Sequence, residues 1–142
     1  MTGVQTCALP IYLFIDGRCD EAIEFYKKNL GAEVGMLMRY KDAPDHTPPA
    51  GLENKVMHAC LTINGAPVMM SDGHCTGKMS FSGFSLSLDY KDIADGRKAF
   101  DALADGGQVT QPLIETFFAK GFGMVADRFG VGWMILAAPK MP

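Results

Sequence analysis

A chain of 142 residues, 48% of them hydrophobic and 20% charged, has enough apolar material to bury a core of ordinary size and is set apart from disordered chains. Its formal net charge of -3 offers no basic surface for a polyanion, so nucleic acid is excluded as a partner class. No apolar run approaches the roughly 20 residues a bilayer requires and "MTGVQTCALP" lacks a secretion signal, so no membrane partner and a cytoplasmic setting are expected.

The first element in chain order is "YLFI", Tyr12 to Ile15, a short apolar strand running into the turn pair Asp16-Gly17. Behind it, "CDEAIEFYKKNL" places Cys19, Ala22, Ile23, Tyr26 and Leu30 at helical spacing, and Gly31 is positioned to end the helix. Glu21, Glu24, Lys27 and Lys28 form its solvated face, the lysines near the C-terminus where they suit the helix dipole. Three extended stretches follow, "AEVGMLMRY", "KVMHACLTI" and "APVMMS", the first two separated by the proline- and charge-rich loop "KDAPDHTPPAGLEN". The Gly/Ser-rich "SDGHCTGKMSFSG" then reads as a linker.

Beyond the linker the pattern repeats. "FSLSLDY" leads into "DIADGRKAFDALADGG", where Ile93, Ala99, Phe100 and Leu103 mark one helical face, Asp92 is placed as a cap and Gly106-Gly107 as the stop. "QVTQPLI", "FGMVAD" and "GWMILA" complete the second half. Each half therefore reads as βαβββ, an α+β organisation with no alternating βαβα for a parallel nucleotide-binding sheet. In "GFSLSL", Phe84, Leu86 and Leu88 point one way and Gly83, Ser85 and Ser87 the other, as expected of a sheet with a helix on one face only. Cys7, Cys19, Cys60 and Cys75 stand far apart with no C-x-x-C pair and are read as reduced thiols.

The stretches "YLFIDGRCDEAIEFYKKNLGAEV", "VMHACLTINGAPVMMSD", "FSLSLDYKD", "FDALADGGQVTQPLIETFF" and "GFGMVADRFGVGWMI" together resemble the vicinal oxygen chelate superfamily of glyoxalase I, bleomycin-resistance proteins and extradiol dioxygenases. More narrowly they resemble its PhnB-like branch, departing from it at Ile11, where that branch usually carries proline, and at Phe118, where it often carries tryptophan. Residues 1–11 match poorly and are set aside as an atypical leader that need not be native. The organisation expected is one structural domain with a first module over 12–70, a linker over 71–83 and a second module over 84–138. The resemblance implies two mixed sheets curled around a cleft, with helices on the outer face and a homodimer in solution.

Metal-dependent members of the superfamily bind a divalent ion through two positions in each module, usually histidine or glutamate. On this chain those positions are placed at Ile11, Met69, Gly83 and Met134, none of which is a usual ligand, so no metal and no other cofactor is expected. The "GVG" of "DRFGVGWMIL" precedes a strand rather than a helix, which removes it from the phosphate-cradling loops and leaves it as a turn in which Asp127 bonds the backbone. His46 reads as an exposed loop histidine, and Asp72, His74 and Cys75 as an irregular group with little claim to a metal.

What remains is a small-molecule ligand on a soft apolar floor of methionines, Met69 and Met134 among them. His58 is the candidate acid or base because it titrates near neutral pH, with Glu115 beside a loop as a second candidate. Cys60, Ser85, Ser87, Phe117 and Phe118 are the other candidate ligand contacts. Three readings stay open: a metal-free binding protein or enzyme of unassigned chemistry, a metal-dependent isomerase, lyase or dioxygenase, and a stoichiometric drug- or toxin-sequestering protein.

Overall fold

The computed structural model describes residues 10–44, 47–73, 77 and 79–140, and divides into two compact units, Met1–Lys78 and Met79–Pro142. The division falls inside the expected linker. The first unit runs β1 (Ile11–Phe14), α1 (Cys19–Leu30), β2 (Glu33–Arg39), β3 (Val56–Ile63) and β4 (Ala66–Ser71). The second repeats the order with β5 (Leu86–Tyr90), α2 (Ile93–Ala104), β6 (Gln108–Ile114), β7 (Ala119–Ala126) and β8 (Gly132–Pro139). Both are βαβββ modules of an α+β fold.

In each module the strand after the helix lies at the far edge, giving the orders β1-β4-β3-β2 and β5-β8-β7-β6. The helix must therefore cross one face of its sheet to connect the two edges, and that crossing divides each sheet into a buried and an open side. The first and last strands of each module are parallel and the other pairs antiparallel. The β3–β4 hairpin closes through Asn64 and Gly65, both at positive φ, the backbone a two-residue turn needs to follow strand twist.

Beneath α1 lie Leu13, Ala59, Leu61 and Met70, against Cys19, Ala22, Ile23, Phe25 and Tyr26 of the helix. Gly31 takes the left-handed conformation (φ 66°) that ends α1, and its N–H bonds the carbonyl of Tyr26. Leu30, expected on the buried face, is half-exposed, and Phe25 is the fifth core residue instead, because the helix presents a stripe broader than one residue per turn.

The second module buries Trp133, Ile135, Ala137, Val125, Leu86 and Leu88 under α2. Gly96, Ala99, Phe100 and Leu103 form the helix's buried stripe, while Ile93 is displaced to the rim at 38% exposure. Asp92 occupies the cap position in an extended conformation but makes no side-chain cap bond. α2 sits close on its sheet: a Cβ at Gly96 would stand 2.5 Å from that of Ala137, and one at Gly123 2.6 Å from the Phe100 ring.

Two carboxylates fasten the modules internally. Asp72 receives the N–H groups of Cys19 (2.8 Å) and Val56 (2.7 Å), tying the start of α1 to the start of β3. Asp127 receives those of Phe129 and Val131 on one oxygen and the Trp133 indole N–H (2.9 Å) on the other. This is the turn role expected of Asp127, extended to the tryptophan.

Candidate functional site

The open side of the first sheet is built by strand alternation. Across β1, β4, β3 and β2 it carries the row Tyr12, Met69, Cys60 and Met36, and beside it the pairs Phe14–Ser71 on β1 and β4 and His58–Met38 on β3 and β2. The alternation in β2 alone would turn Met36 away from the face of Glu33; an irregularity between Val34 and Met36 inserts Gly35 and turns Met36 and Met38 to this side. The expected contacts His58, Cys60 and Met69 are thus brought together, all half-buried.

Their organiser is Tyr12. Its hydroxyl lies 2.8 Å from His58 Nδ1, its ring 5.5 Å from the imidazole and 5.1 Å from Phe14. Burial pushes the Tyr12 hydroxyl above its usual titration range, with the Ser71 hydroxyl working in the opposite direction. Tyr12 therefore stays a neutral phenol across the physiological range, a donor and acceptor at once. The central rows of this face carry no carboxylate, ammonium or guanidinium among the described residues; Glu33, opposite Thr62, stands at its far corner.

The sequence missed Tyr12 by one residue. Ile11, assigned to the ligand-type position, pairs with Val68 and shares the side of buried Leu13, whereas Tyr12 pairs with Met69. A one-residue slip in register exchanges the two faces of a strand. The signal available was the parity of "IYLFI", in which Leu13 and Ile15 suit the helix side and Tyr12 and Phe14 the other.

In the second sheet Met134 pairs with Ser87 and Met124, and Met124 with Gln111, so the open row runs Ser87, Met134, Met124, Gln111. Gly83, the other position assigned from the resemblance, precedes β5 in a bend at φ 81° and belongs to no strand; Ser87 is the residue opposite Met134. Phe84, expected to point with Leu86 toward the helix, is 45% exposed because β5 starts only at Leu86. Ser85 also precedes the strand, beside Gly132.

Phe122 lies two residues from Met124 on the same side of β7, and its ring meets Phe118 at 5.3 Å, which in turn meets Phe117 edge-on at 5.1 Å. Phe117 is 83% exposed. Glu115 forms an ion pair with Lys140, whose ammonium holds the Glu115 carboxyl below its usual range. That carboxylate is engaged at the surface.

The donor sets do not fit a divalent ion of the superfamily's kind. The paired positions are a phenol and a thioether in one sheet and a hydroxyl and a thioether in the other, and no group of three or more His, Cys, Asp or Glu gathers among the described residues. Asp72 is occupied by backbone N–H groups. His46, His74, Cys75 and Cys7 lie outside the described residues.

Duplicated βαβββ modules, each with one helix-covered face and one face of mixed aromatic, thioether and hydroxyl side chains, define a two-module α+β protein with a glyoxalase-like fold. The chain belongs to the family described as 3-demethylubiquinone-9 3-methyltransferase, whose model matches residues 7–136. It is 38% identical over 140 residues to Protein YjdN of Escherichia coli, covering 92% of this chain and 95% of that one. Among solved structures, protein PA1353 of Pseudomonas aeruginosa is 38% identical with a TM-score of 0.81 over 91% of this chain and 96% of that one. The Bacillus cereus PhnB protein, described as a putative 3-demethylubiquinone-9 3-methyltransferase, is 29% identical with a TM-score of 0.78 over 92% and 98%. The fold alone extends to a glyoxalase-related enzyme of Fulvimarina pelagi, 16% identical with a TM-score of 0.56 over 92% and 86%.

Proposed function

We propose that the protein is a PhnB-like relative of the glyoxalase and bleomycin-resistance proteins that binds a small molecule on the open sheet faces without the superfamily's metal. The observation that carries this is the Tyr12–His58 hydrogen bond standing among Met36, Met38, Cys60 and Met69 on a face free of formal charge among the described residues of its central rows. Thioether side chains adapt to an apolar ligand body, and a few placed polar groups orient it. The reading assigns no reaction. Methyl transfer is not carried over from the family's description, since the segment 15–18 between β1 and α1 holds a single glycine and not the glycine-rich loop after a first strand that a nucleotide-type methyl donor would need.

The experiment is a thermal-shift screen of small aromatic and oxygenated compounds, followed by titration of each hit against wild type and His58→Gln at equal folded fraction. Loss of a direct contact to His58 costs roughly 1 to 3 kcal/mol, so affinity is expected to fall by about 5- to 150-fold. Equal affinity for every hit would remove His58 from the site. We extend the proposal to a homodimer, supported by the superfamily resemblance; sedimentation showing only monomer at roughly tens of micromolar would count against it.

A further inference from the structure

We infer that Tyr12 and His58 act as a pair that presents His58 Nε2 to a neutral hydroxyl group on a flat apolar ligand, with Tyr12 as the residue that positions the imidazole. The inference rests on the reading that the open face of the first sheet takes a ligand, and adds the ligand's chemical class.

The pair is held at 2.8 Å through Nδ1, and Nε2 has no partner among the described residues. Either proton arrangement of the neutral ring leaves Nε2 a defined role. If the Tyr12 hydroxyl donates to Nδ1, Nε2 carries the ring proton and donates. If Nδ1 donates to the Tyr12 oxygen, Nε2 is an acceptor. A hydroxyl is complementary to both, because it accepts from the first form and donates to the second. An anionic head group would match only the first, and an ammonium only the second.

The surroundings favour the neutral partner further. Met38 lies beside His58 on β2, Cys60 follows on its own strand, and Met69 stands opposite Cys60 on β4. Among the described residues the other ionisable groups near this face are the Tyr12, Cys60 and Tyr40 side chains, with Glu33 at the far corner. No cation among the described residues stands in these rows to pair with a carboxylate or phosphate, so an anion would give up hydration without compensation there. Phe14, 59% exposed, and the Tyr12 ring, 39% exposed, supply aromatic edges, and the methionines a soft floor, for the flat body of the ligand.

Two probes with one ring system and different head groups test this: a naphthol and the corresponding naphthoate, titrated at neutral pH by calorimetry. Naphthol is expected to bind at least about tenfold more tightly. In long-range proton–nitrogen correlation spectra recorded at a pH where the imidazole is neutral, the His58 ring nitrogens should report one dominant tautomer, Nε2 should shift on adding naphthol, and Tyr12→Phe should convert the ring to a tautomer mixture and weaken naphthol binding. Thermal melting of Tyr12→Phe checks that the variant is folded.

Naphthoate binding as tightly as naphthol would overturn the inference. So would naphthol saturation that leaves the His58 nitrogens unmoved, or a folded Tyr12→Phe protein with an unchanged tautomer. Failure of naphthol to bind, alongside screening hits whose affinity depends on His58, would also overturn the ligand class while leaving the wider binding function standing.

Discussion

Among the individual residues, the two buried aspartates and the two described cysteines show how local chemistry divides structure from function. Asp127 uses both oxygens, accepting from Phe129 and Val131 on one and from the Trp133 indole on the other, at 3% exposure. Asp127→Asn replaces an acceptor with an NH₂ group facing a donor, so it is expected to destabilise by about 1–3 kcal/mol in denaturant unfolding. A loss below about 0.5 kcal/mol would show that the turn does not depend on the second oxygen. The thiols contrast. Burial raises the Cys19 pKa first, and the neighbouring Asp72 carboxylate raises it further, so Cys19 stays protonated and unreactive at neutral pH. Cys60 is a half-buried free thiol on the open face. Brief iodoacetamide treatment with peptide mapping should label Cys60 in the native protein and Cys19 only after unfolding; native labelling of Cys19 would contradict the burial argument. Asp127 was legible in the sequence because a turn aspartate bonds nearby backbone. Asp72 was not, because its two donors lie 53 and 16 residues away.

In the packing of helix on sheet, the two modules use different devices. α1 covers its sheet with ordinary core side chains, whereas α2 approaches β7 and β8 closely enough that Gly96, Gly121 and Gly123 leave no room for a methyl group beside Ala137, Ile93 and Phe100. Gly123 is the most constrained of the last two strands, since its Cβ would also stand 3.0 Å from the Leu113 Cα. Gly123→Ala is therefore expected to cost about 1–3 kcal/mol by overpacking, read as a lowered denaturation midpoint. Unchanged stability would mean that α2 can lift off without penalty. The helices and strands themselves were legible, because the apolar periods of 3.6 and 2 stand out in "CDEAIEFYKKNL" and "VMHACLTI". The close approach was not, because a strand glycine that touches a phenylalanine ring looks in sequence like one that makes a turn. The same holds for the irregularity at Gly35, which decides the face of Met36 and Met38 yet leaves no mark on composition.

For the molecule as a whole, the repeat determines what each open face offers, and the pairing Tyr12–Met69 in one sheet recurs as Ser87–Met134 in the other. Sequence reasoning reached Met69, Met134, His58 and Cys60 because each strand's apolar half could be assigned to its helix. It slipped at Ile11 and Gly83, one residue before Tyr12 and four before Ser87, the residues that pair with Met69 and Met134. Those slips leave the donors of each sheet as they stand, a phenol beside a thioether in the first and a hydroxyl beside a thioether in the second, neither an imidazole nor a carboxylate of the kind that binds zinc, iron or manganese. A divalent ion bound to the native state at 100 times its dissociation constant would add about 2.7 kcal/mol of stability, a melting shift of several degrees for a chain of this size. Exhaustive dialysis against a chelator is therefore expected to move the melting temperature by less than about 1 °C, and re-addition of zinc, manganese or nickel to leave it there. A fall of several degrees that one of these ions reverses would return the metal-dependent reading and direct the search for its ligands to His46, His74 and Cys75.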